Sequence, residues 1–154
     1  MATEADWASY DRAVVDLAPP GGPTMRLVPA RAGATGPWPE GLDLPVIVVT
    51  AWNPDSDLRP AVVNRAANEA LVAELERRGL PHWPATGRDP DLAHQHHEEG
   101  VAIPGLTEAE GVALGRSYGQ AAVYVWTPAS WEVVSCTDAR RHVHGWRITP
   151  AVDA

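Results

Sequence analysis

The chain has no lysine, no phenylalanine and one cysteine, and it contains no apolar run near the roughly 18 residues that a membrane-spanning helix requires. Each absence excludes a chemistry. Without lysine there is no Schiff base and no P-loop lysine. The single Cys136 cannot form an internal disulfide, and its segment Val133-Val134-Ser135-Cys136 reads as a strand end where a free thiol packs rather than attacks. Positive charge is also scarce. Twelve basic residues against 20 acidic ones give a net charge of -8 with no local basic patch, which disfavours nucleic-acid and membrane partners. The acidic start Thr3-Glu4-Ala5-Asp6 is unlike the basic beginning of a secretory signal, so the expected location is cytoplasmic.

What is present fits a single domain over residues 1–154, with 45% hydrophobic residues. Trp7, Tyr10, Val14 and Leu17 recur at steps of three and four and predict an amphipathic helix over residues 4–17. The Pro19-Pro20-Gly21-Gly22-Pro23 segment ends it, a short strand is expected at residues 25–29, and residues 30–44 read as a loop carrying Trp38. The run Val46-Ile47-Val48-Val49 predicts a buried strand over 45–52. A long helix should follow, with Pro60 in its first turn and Gly79 just past its end. Strands are expected at 81–86 and 97–103. Thr107-Glu108-Ala109-Glu110 opens a second helix by a capping box, and Gly119 stops it. A hairpin over 121–126 and 131–135 and a last strand over 143–149 complete the reading. The order from residue 45 is β-α-β-β-α-β-β, so the predicted class is α+β: a ferredoxin-like β-α-β-β-α-β core with an N-terminal helix and extra C-terminal strands.

The segment Thr50-Ala51-Trp52-Asn53-Pro54-Asp55-Ser56 is where polar groups gather at a strand end before a helix. On that helix Asn64 and Asn68 share a stripe with Leu71 and Leu75, so two amides point inward and need partners. Either they tie the helix to the Asn53 loop, or Trp52, Asn53, Ser56, Asn64 and Asn68 converge on a small polar or anionic molecule, with Arg59 and Arg65 assisting an anion. On the second helix Arg116 lies in register with the apolar side, and Gly111 and Gly115 permit close backbone approach. Arg116 can pair structurally with Glu98 or Glu99 or hold substrate charge, and Gln120 stands beside the same layer. Glu98 and Glu99 are the candidate catalytic bases, because burial can raise a carboxyl toward neutrality. His94-Gln95-His96-His97-Glu98-Glu99 matches no strong zinc spacing, and strand alternation splits its ligands between two faces, so neither metal nor cofactor is expected.

These pieces together resemble a bacterial family catalogued as domain of unknown function 3293. The resemblance rests on Thr50-Ala51-Trp52-Asn53-Pro54 with Ser56, on Asn64, Asn68, Leu71, Leu75 and Gly79, on Gly87, Glu98, Val101 and Gly105, and on Leu114 through Val123. It covers about residues 45–125 and implies a shared site without naming its use. Gly100 and Tyr118 depart from the family's usual Ser and Phe. A fainter similarity links Asn53-Pro54-Asp55-Ser56 to the strand-end motif of uracil-DNA glycosylase-like nucleobase-binding proteins, whose second, C-terminal signature is missing. The leading expectation is a binding protein, or an acid/base enzyme, for a small polar or anionic molecule. The rival is an interaction module in which Trp83, Trp126, Trp131 and Trp146 supply an exposed aromatic surface for self-association, as a homodimer, or for a protein partner.

Overall fold

A computed structural model of the protein describes residues 2–90 and 96–151. Its elements follow in the order α1 (Glu4–Arg12), β1 (Val14–Leu17), β2 (Met25–Ala30), β3 (Val46–Thr50), a 3-10 turn (Pro54–Ser56), α2 (Ala61–Arg77), β4 (Trp83–Arg88), β5 (His97–Pro104), α3 (Glu108–Ser117), β6 (Ala122–Thr127), β7 (Ser130–Ser135) and β8 (Arg141–Pro150). All strand pairings are antiparallel, and the sheet closes on itself in the order β1-β2-β8-β7-β6-β3-β5-β4.

This closure corrects the ferredoxin-like expectation. An open four-stranded sheet has two edges and one face without a helix layer. Here β7 and β8 extend the sheet from β6, and β1 and β2 return it to β4, with Val14 opposite Arg88 and Val28 opposite Arg147. The face that lacks helices is thereby buried inside a barrel. Reading residues 4–17 as one helix concealed β1. The chain leaves helical geometry at Ala13 (φ -58, ψ 137), and the β-branched Val14 and Val15 begin a strand instead.

Alternation along the strands feeds two cores. Ile47, Val49, Val101, Ile103, Val123 and Val125 point outward and pack with Leu71 and Leu75 of α2 and Leu114 of α3. Their neighbours Val46, Val48, Ala102 and Trp126 point into the barrel with Val15, Leu17, Leu27, Trp131 and Trp146. That double duty explains why the β3 run is apolar at successive positions. Truncating Leu75 to Ala would cost about 2–5 kcal/mol, because it is fully buried between α2 and the barrel wall.

The tryptophans also need correction. Trp126, Trp131 and Trp146 are at most 1% exposed and Trp83 is half-buried, so they build the core rather than an exposed association surface. Trp126 meets Trp146 edge to face at 5.3 Å and Trp38 at 4.4 Å between ring centroids. This cluster fills one end of the barrel. Among the described residues no helix is long and apolar enough to cross a membrane.

Candidate functional site

The opposite end of the barrel is open. There the lumen widens into a cavity of about 270 Å³ lined by Val15, Val48, Ala85 and Tyr124 from the wall, and roofed by Ser9 and Tyr10 of α1. A barrel mouth is a usual place for a small-molecule site. α1 is fixed across this end by several contacts. Arg140 donates to both oxygens of Glu4 (2.7 and 3.0 Å) and lies 4.3 Å from the Trp7 ring centre. The Asp11 carboxylate bonds His142 Nδ1 at 2.9 Å and His144 Nε2 at 2.8 Å, and Tyr124 donates its hydroxyl to the Tyr10 carbonyl.

One rim is the segment after β3. Asn53, Asp55 and Ser56 all have positive φ (48, 60 and 61°), a conformation that costs non-glycine residues energy and persists only where surroundings hold it. Asn64 supplies much of that hold. Its Oδ1 accepts from the Asn53 backbone N–H at 2.9 Å, and its Nδ2 donates to Asn53 Oδ1 at 2.9 Å and to the Arg59 carbonyl at 3.2 Å. Gln120 Nε2 donates to the Trp52 carbonyl at 3.0 Å, and Asp55 donates its N–H to the Gly119 carbonyl at 2.8 Å. Gly119 is required there, since a Cβ would lie 2.7 Å from Pro54.

The chemical centre is Glu98. Strand alternation turns it inward with Gly100, into the cavity lining. Asn53 Nδ2 donates to its Oε1 at 2.9 Å, while Oε2 has no hydrogen bond among the described residues. Burial raises its carboxyl above the ordinary value, opposed by the Asn53 hydrogen bond and the charge of His96. Burial also raises Tyr10 against a hydrogen bond from Ser56, and it raises the buried Tyr124.

Trp52, Asn53, Ser56, Glu98 and Gln120 thus lie together in the cavity lining. The other sequence candidates lie elsewhere. Asn64 stands behind Asn53, spending its amide on the loop, and the buried Asn68 Oδ1 has no partner. Glu99, one position out of register with Glu98, is outside the lining, as are Arg59, Arg65 and Arg116. Arg116 donates Nε to the Cys136 carbonyl at 2.8 Å and borders a separate surface groove with Asp138. His94 and Gln95 fall outside the described residues. Among those described, no group of three or more His, Cys, Asp or Glu is arranged to hold a metal ion. Sequence reasoning missed Tyr10 and Tyr124. Tyr10 had a signal, since it follows Trp7 by three positions on the packed side of the N-terminal helix.

The sequence pattern of a family described as Protein of unknown function (DUF3293) matches residues 49–123, from the end of β3 into β6. Comparison with curated proteins and with solved structures gives no match.

Proposed function

We propose, for a chain that over residues 49–123 belongs to the DUF3293 family, that the barrel mouth binds a small polar molecule between Glu98, the Asn53 loop and Tyr10. The supporting observation is Glu98 itself: a carboxyl inside a cavity, steadied at one oxygen by Asn53 and uncommitted at the other. Natural barrels that hold ligands combine apolar walls with a few convergent polar groups of this kind. At about 270 Å³ the space suits a metabolite smaller than a typical drug.

A second reading, acid/base turnover by Glu98, draws on the raised carboxyl, because proton transfer near neutral pH favours such a group. Glu99, outside the lining, has no part in it.

A thermal-shift screen of small polar metabolites tests the binding proposal, with Ala122→Phe as the variant that fills the mouth. Compounds that raise Tm in the wild type and lose that effect in a folded Ala122→Phe support it. A screen without any stabilising compound, or stabilisation that survives Ala122→Phe, overturns it. Product formation lost in Glu98→Gln while binding persists would favour turnover.

A further inference from the structure

Resting on the binding reading above, we infer that the molecule taken by the barrel mouth is a small organic cation, a primary amine whose ammonium group meets the free oxygen of Glu98. The argument begins with charge. Among the described lining residues Glu98 is the carboxyl on the inward-facing side of β5, and no arginine is bonded to it. Arg88, at the rim, donates Nε to Asp16 at 2.9 Å, and Arg12 and His96 are exposed to solvent, where water screens them. The arginines that would have served an anion, Arg59, Arg65 and Arg116, all lie outside the lining.

The acids act in one direction. The carboxylates Asp6 and Glu98 near Tyr10, and Glu98 and Asp11 near Tyr124, oppose phenolate formation. Among the described residues His96, when protonated, favours the ionised form of Glu98, from 3.8 Å at the mouth. A carboxylate ligand would meet Glu98 with the solvent-screened Arg12 and His96 and the Asp16-bound Arg88 to offset it, whereas an ammonium group pairs with Glu98 directly.

Acceptors and aromatics agree with this. The Gln120 amide spends its NH2 on the carbonyls of Trp52 and Tyr118, so its oxygen is left to accept. Tyr10 and Tyr124 line the same space, and aromatic rings near a bound cation attract it. Binding of an amine as its ammonium ion pairs with ionised Glu98. Wherever Glu98 is protonated beforehand, its proton passes to solvent, one for each ligand bound.

The test is calorimetric titration of the full chain with butylammonium and benzylammonium, beside the size-matched alcohols and carboxylates, in buffers of differing ionisation enthalpy. The amines are expected to bind roughly tenfold or more tightly than the alcohols, with proton release in the acid range, and Glu98→Gln should remove that advantage while alcohol affinity changes little. Glu98→Gln keeps an acceptor for Asn53, and an unaltered circular dichroism spectrum verifies its fold. Tighter binding of the carboxylates, or amine affinity unmoved by Glu98→Gln, overturns the cation assignment. If the alcohols or carboxylates bind at least as tightly as the amines and Ala122→Phe abolishes that binding, the mouth remains a binding site and only the cation falls. If no member of the panel binds the wild type, the cation assignment falls, and the metabolite screen decides the binding reading separately.

Discussion

Arg88 on β4 donates Nε to Asp16 Oδ2 on β1 at 2.9 Å, across the seam where the barrel closes. On the other side of Asp16, Arg26 of β2 donates Nε to Oδ1 at 2.8 Å and Nη2 to Oδ2 at 3.1 Å. One carboxylate therefore joins three adjacent strands. Burial pushes the Asp16 carboxyl up, but hydrogen bonds from Arg26 and Arg88 carry it below its ordinary value. A depressed value in the folded state means stabilisation present above the unfolded value of 3.8 and lost as pH falls through the folded one. Asp16→Asn is expected to cost about 3 kcal/mol at neutral pH by urea unfolding, with the gap to wild type closing in acid. Equal stability at neutral pH would deny the seam its role.

Glu98 has the opposite sign. Its folded value lies above the unfolded 4.5, so ionisation costs stability as pH rises from the unfolded value through the folded one. Glu98→Gln should melt above the wild type at neutral pH, and the difference should vanish in acid. A wild type more stable than Glu98→Gln at neutral pH would mean that the carboxylate is better accommodated than its surroundings indicate.

Asn64→Ala removes the three hydrogen bonds that hold the Asn53 loop. The orphaned groups should cost about 1–3 kcal/mol, and the bonds around 53–59 should become open to limited proteolysis. Unchanged protection would show that Gln120 and Gly119 suffice to hold the loop.

Gly115→Ala places a Cβ 2.6 Å from Val123 Cγ1 and 2.9 Å from Cys136 Sγ. The clash is expected to cost about 1–3 kcal/mol, read from urea midpoints. Gly87→Ala is the control, because its Cβ would meet nothing nearer than 3.9 Å.

Burial pushes the Cys136 thiol up to about 11. A disulfide reagent at mildly alkaline pH should therefore modify the native protein only at the rate at which it opens, and rapidly in denaturant. Fast labelling of the native chain would contradict its burial.

Local patterns carried much of this architecture. The Gly79 and Gly119 helix stops, the capping Thr107 and the β6–β7 hairpin follow from short-range chemistry, and the close approach expected at Gly111 and Gly115 is such that a Cβ at either would lie within 3 Å of the Ile47 or Val123 side chain. Closure was not legible, because it depends on pairings such as Val14 with Arg88 and Met25 with Pro150, between segments distant in sequence. The cavity was legible at Asn53, Glu98 and Gln120, whose residue types and neighbours mark them. Tyr124 looked like an ordinary strand aromatic, and Arg116 looked inward by helix register although its Nε binds the Cys136 carbonyl, away from the lumen.

The aromatic cluster of Trp38, Trp126 and Trp146 makes the barrel a cup rather than a tube. Whatever fills a cup leaves by the way it came. Residence time would then be governed by how often α1 lifts from the rim, so weakening Glu4–Arg140 or Asp11–His142 should quicken departure most, because Tyr10 of α1 lines the space that a bound molecule fills.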